Sequence, residues 1–124
     1  MQKLFLIIGS IAMTLAVGLG AFGAHGLKEI LTDEMLDIFE TGVKYHFYHA
    51  IGLLAVGLVA QLMPNSSLLQ WSGWLMLAGI IIFSGSLYIL SISGIRWMGA
   101  ITPIGGLCFI VAWVLLAIAS WQNL

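Results

Sequence analysis

Residues 102–121 read TPIGGLCFIVAWVLLAIASW, twenty residues without a charged side chain. An α-helix rises about 1.5 Å per residue, so the run is about 30 Å long, the hydrocarbon thickness of a bilayer. Inside hydrocarbon every backbone amide must find its partner within the chain, so the run reads as a membrane-spanning helix. Thr102 as N-cap and Pro103 at the first helical position predict where it begins. A transmembrane barrel strand is excluded, because polar and apolar residues do not alternate.

Three further runs have the same character. They extend over about 4–23, 45–63 and 69–92, the second stopping at the turn Pro64-Asn65-Ser66-Ser67. Of the 124 residues 61% are hydrophobic and 7% are charged, against about 25% charged in a soluble domain. Four Lys or Arg and five Asp or Glu cannot solvate a surface of this size. The expected fold is therefore all-α: an integral membrane four-helix bundle, one transmembrane domain over 1–124. The bilayer is the first expected partner. A net charge of -1 excludes nucleic acid, which needs a basic patch. Cys108 is the single cysteine and forms no intrachain disulfide. Lys3 and the small residues around Gly23 also fit a signal peptide. The apolar stretch is longer than a usual signal sequence, so an uncleaved helix is expected.

Most of the charge lies between the first two runs. There Leu31, Met35, Ile38, Phe39, Gly42 and Val43 form one apolar stripe at helical spacing. An amphipathic interfacial helix over about 31–44 is predicted. Four crossings place both termini on one side. Lys28, Lys44 and Arg96 lie on the other, which the positive-inside rule makes cytoplasmic, with the termini outside. Trp71, Trp74 and Trp121 mark one headgroup level; Tyr45, Tyr48, Tyr88 and Trp97 mark the opposite one.

Close backbone approach holds membrane helices together. Ala12, Ala16, Gly20 and Ala24 recur every fourth residue and give the first helix a small face. Gly85, Gly105 and Gly106 are expected to do similar work later in the chain, and Gly26 to cap the first helix. Gly18, Gly20 and Gly23 match the spacing of a dinucleotide-binding loop but sit in a membrane helix with no preceding strand, so that reading is discarded.

The up-and-down course gathers His25, Tyr45, His46, His49, Ser86, Tyr88 and Thr102 at one end of the bundle, with Ser84. His46 and His49 share a helix face. Three readings compete. The residues are interfacial, the histidines hydrogen-bonded to tyrosine or backbone; or they form a proton or small-molecule site, since histidine titrates near neutrality; or His25, His46, His49 and Glu40 bind zinc or iron. No HExxH motif supports the last, so no metal or cofactor is assigned. No nucleophile elbow or Walker loop is present, and no enzymatic activity is expected.

GAFGAHGL at 20–27, Tyr45 with HAIGLL at 49–54, SGSLY at 84–88, and GAITPIGG at 99–106 followed by Trp113 together resemble the domain-of-unknown-function 423 family of small bacterial membrane proteins, related to eukaryotic transmembrane protein 256. The resemblance covers almost the whole chain. It implies a multi-pass protein of the cell membrane and no assigned activity. The chain departs from the family pattern at His46, where members often carry glutamine, so the resemblance favours His25 and His49 as site candidates. The leading expectation is a structural or accessory protein that associates with itself or with another membrane protein. The alternative is a component of a proton, ion or small-metabolite transporter.

Overall fold

The computed structural model describes residues 1–124. Helices α1 (Gln2–His25), α2 (Asp33–Val59), α3 (Ser67–Gly79), α4 (Gly85–Ser93) and α5 (Thr102–Asn123) follow one another without a strand. A π-helical turn, Ile80–Ser84, joins α3 to α4 in one continuous rod, and a 3-10 turn, Arg96–Ala100, leads into α5. The protein is thus four rods. Three are long and apolar enough to cross a membrane: Gln2–His25, Ser67–Ser93 and Arg96–Asn123, with mean hydropathies of 2.2, 2.2 and 2.4.

The fourth rod, α2, differs from the sequence expectation. The charged stripe does not form a separate helix; it is the first half of α2, which runs on into the second apolar run and ends at Val59 rather than Met63. No proline interrupts residues 33–59, and the change at Lys44 is one of polarity, which leaves backbone hydrogen bonding unaffected. Thr32 caps the helix, its hydroxyl oxygen accepting from the Met35 amide at 3.2 Å. Asp33 and Glu34 in the first turn complement the positive end of the helix dipole. At 27 residues the rod is about 40 Å long, longer than the hydrocarbon layer. Its stripe continues inward: Phe39, Gly42, His46, His49, Leu53 and Val56 are all buried.

Across the molecule the order is α1, α2, the α3–α4 rod, α5. The first helix lies along α2, α5 lies along α3, and α2 meets the long rod in the middle. Phe5, Leu53, Val56, Leu69, Met76 and Phe109 fill the core between them.

The small face of α1 turns relative to the expected one. Ala12 and Ala16 are buried and Gly20 touches Val43 and Phe47, but Ala24 is exposed and Gly23 is buried against Phe39. At 100° per residue a strict fourth-residue repeat drifts about 40° with each step, so by Ala24 the row has left the contact. Gly85 has nothing within 4 Å of a Cβ position and does no packing work. Gly105 is the opposite case, its Cβ position lying against the backbone and Cβ of Phe83. Gly26 follows α1 and its amide bonds Phe22 O at 2.7 Å, but with right-handed φ; the left-handed cap is Gly94, φ 76°, after α4.

Candidate functional site

The predicted polar end separates into three small hydrogen-bonded groups and one outlier. His25 is the outlier: it is exposed at the end of α1 and makes no side-chain hydrogen bond. No three His, Cys, Asp or Glu side chains come together as metal ligands, so the histidines and Glu40 do not form the chelating cluster that one reading required.

The first group centres on His49, 4% exposed on α2. Its Nδ1 lies 2.7 Å from the Tyr45 carbonyl one turn earlier, and its Nε2 lies 3.0 Å from Nε1 of Trp113 on α5. A carbonyl only accepts and an indole N–H only donates. Nδ1 therefore carries the proton and donates to Tyr45, while Nε2 accepts from Trp113. This neutral tautomer satisfies every partner, whereas a second proton on the ring would set one N–H against another. The ring also stacks on Phe109, centroids 3.4 Å apart and planes within 8°. Tyr45 contributes its carbonyl to this group, and its own ring packs on Phe83 at 4.8 Å.

The second group joins α2 to α4. His46 Nδ1 and the Tyr88 hydroxyl are 2.9 Å apart, and Ser84 donates to the Gly42 carbonyl at 2.7 Å. Gly42 lets the rods approach, since a Cβ there would meet the Tyr88 ring at 2.9 Å and Leu87 at 3.3 Å. The other ring nitrogen of His46, Nε2, is buried without a partner.

The third group joins α4 to α5. Ser86 donates to the Phe83 carbonyl at 2.8 Å, so its single hydrogen is engaged and Thr102 donates to Ser86 Oγ at 2.6 Å. Thr102 thus does not cap α5, as its position before Pro103 had implied; it lies inside the first turn and turns its hydroxyl to α4. A fourth bond, Ser72 donating to the Ala112 carbonyl at 2.6 Å, ties α3 to α5 far from this end. Sequence reasoning did not single out Ser72, nor Trp113 as the partner of His49. The available signal was a buried-side serine and an indole among aliphatic residues on spans that must pair.

Between α2 and α5 the His49–Trp113 bond bridges a groove of about 580 Å³. Tyr45, Tyr48 and His49 form one wall, and Gly106, Phe109, Ile110 and Trp113 form the other. Phe83, presented by the π-helical turn, lies between them. Such turns recur at functional positions in helices.

Beyond the groove, Arg96 of the 3-10 turn reaches Glu34 at the start of α2, 3.1 Å away. The guanidinium lowers the Glu34 carboxyl below its ordinary pKa through that hydrogen bond and through its charge.

Residues 19–106 match the family model described as "Protein of unknown function (DUF423)". The chain is 51% identical to the UPF0382 membrane protein YwdK of Bacillus subtilis, over 99% of this chain and 100% of the relative. It is 46% identical to the UPF0382 membrane protein SH2409 of Staphylococcus haemolyticus over 98% of each, and 48% identical to a UPF0382 membrane protein of Staphylococcus epidermidis over 96% of each. None of these names records an activity. No solved structure matches.

Proposed function

The chain belongs to the DUF423 family of proteins of unknown function, and from that premise we propose that it is a multi-pass protein of the cell membrane with a structural or accessory role. In this reading all four rods cross the bilayer. The termini face outward, and the Lys28, Lys44 and Arg96 side faces the cytoplasm. The protein associates through its outer helices with a second copy or with another membrane protein.

One observation carries the reading: His49 has both ring nitrogens engaged in the neutral form. Apart from His46 Nε2, the buried polar side chains are engaged in bonds between or along rods, which is how small polar side chains act in membrane bundles. Apolar side chains on the outer faces support the placement in lipid, with Ile11 and Leu15 on α1 each 56% exposed and Leu107 on α5 61% exposed. Transport through the histidines is disfavoured. His25 stands apart, His49 has no free nitrogen, the unpartnered Nε2 of His46 is shut off from the surface, and four rods enclose no polar chamber. The absence of an enzymatic role is part of the same proposal, since neither a metal set nor a nucleophile with a base is present to argue for chemistry.

The test is proton flux into vesicles reconstituted with purified protein and a trapped pH dye. Wild type and the double variant His25→Gln/His49→Gln are expected to leak no faster than protein-free vesicles. A pH-dependent flux in wild type that the double variant loses, with folding retained, would overturn the proposal.

A further inference from the structure

The groove between α2 and α5 fits a ligand of definite chemistry. Its volume of about 580 Å³ lies within the roughly 300–1,000 Å³ of small-molecule sites, which are mostly apolar and aromatic. It opens sideways, where Tyr48 is 50% exposed and Trp113 42% exposed. Along α5 it spans Gly106 to Trp113, about 10 Å parallel to the rods. Its upper end is marked by Tyr45 and Tyr48, whose rings pack edge to face at 5.8 Å. Tyrosine is enriched where hydrocarbon gives way to headgroups. Of the three tyrosines only Tyr88 has a hydrogen-bonded hydroxyl. Lys44 stands one turn above Tyr48 on the same helix face. It is exposed and makes no ion pair, the Arg96–Glu34 contact being the molecule's salt bridge. Glu40 lies one turn further from the groove on the same face, and no salt bridge joins it to Lys44.

We propose that this groove seats one acyl chain of a bilayer phospholipid, with the lipid phosphate at Lys44. The elongated apolar slot takes the chain. The unpaired ammonium, within reach of the headgroup layer, takes the anion, as basic residues near the membrane surface do. A neighbouring helix is the poorer occupant. Helices pack where small residues let backbones meet, and this slot is walled by rings that hold a second backbone away. The opening at Gly106 is what keeps the slot clear: a Cβ there would touch only the Phe83 ring, at 3.8 Å. A larger side chain at 106 therefore extends into the slot without displacing backbone.

Native mass spectrometry of detergent-purified protein titrated with dioleoylphosphatidylglycerol tests the site. One lipid per chain is expected to bind more tightly than the rest. Gly106→Leu is expected to weaken that first binding by at least about tenfold. Lys44→Gln is expected to lower it by about fivefold and to remove the preference for phosphatidylglycerol over phosphatidylcholine. Equal binding by wild type and Gly106→Leu overturns the proposal. So does a retained molecule that lacks phosphate, or loss of the slot through pairing of two chains. Should Gly106→Leu fail to fold, wild-type protein in phosphatidylglycerol vesicles is labelled with a lipid carrying an acyl-chain diazirine. Cross-links concentrated at Tyr48, Phe83 and Ile110 support the site, and cross-links spread evenly over the outer faces of α1 and α5 contradict it.

Discussion

His49 shows how one side chain settles between chemical roles. Its burial on an apolar helix would be costly for an unpaired imidazole, and the cost is removed by two partners of opposite kind. Trp113→Phe keeps the ring packing and deletes the donor to Nε2. It is expected to lower unfolding free energy by about 1–2 kcal/mol, the size of a lost interhelical bond plus an orphaned buried acceptor, measured by steric trapping or denaturant titration in bicelles. Unchanged stability would show that the bond does not bear on the fold. The adjacent glycines make a sharper pair. Gly105→Ala pushes a methyl into the Phe83 backbone and is expected to cost about 1–3 kcal/mol. Gly106→Ala meets only open space and a ring edge and is expected to be neutral within about 0.5 kcal/mol. Equal effects at the two positions would contradict the packing described.

At the scale of elements, four rods were legible in the sequence because hydrocarbon thickness and run length are locally encoded. The fusion of the charged stripe with the second run was not. Lys44 and Tyr45 mark a change of solvent, and a helix with no proline passes through it. The π-helical turn at Ile80–Ser84 was equally hidden, since nothing in IIIFS differs from a regular helix; the turn is where Phe83 packs against Gly105 and Ser84 donates to the Gly42 carbonyl. His25, Tyr45, His46, His49, Ser86, Tyr88 and Thr102 were grouped from topology alone. Topology gives the end of a rod and not the facing, which is why His25 lies apart while the other six enter hydrogen bonds between or along rods. The entry to α2 can be tested directly. Thr32→Ala removes its cap and is expected to cost about 1 kcal/mol. The Glu34–Arg96 pair adds a pH dependence. The folded carboxyl has its pKa below the ordinary 4.5, so its stabilisation is present above the unfolded pKa and is lost as pH falls through the folded one. Glu34→Gln is accordingly expected to lower the melting temperature slightly at pH 7, by progressively less as the pH falls into the acid range, and not in about 1 M salt, where exposed pairs are screened. A difference that persists in acid would mean that Glu34 acts through something other than its charge.

Over the whole molecule the rods form an open row with α1 and α5 outermost, each presenting an apolar flank. The Glu34–Arg96 contact holds the start of α2 and the turn before α5 at one end, as the proposed four crossings require. Cysteines placed singly at Arg96, Lys28 and Asn65 in a Cys108→Ser background should separate cleanly: the first two labelled from the cytoplasmic side, the third from outside. Labelling of all three from one side would remove the four-crossing topology. The proposed role comes down to a single requirement, that the buried polar groups fasten rods together and carry no proton across. The most direct measurement is the ¹⁵N spectrum of His49 in protein reconstituted in bilayers at pH 7. A neutral ring protonated at Nδ1, with a coupling from Trp113 Nε1–H across the hydrogen bond to an unprotonated Nε2, is the predicted result. An imidazolium, or a proton on Nε2, would contradict it.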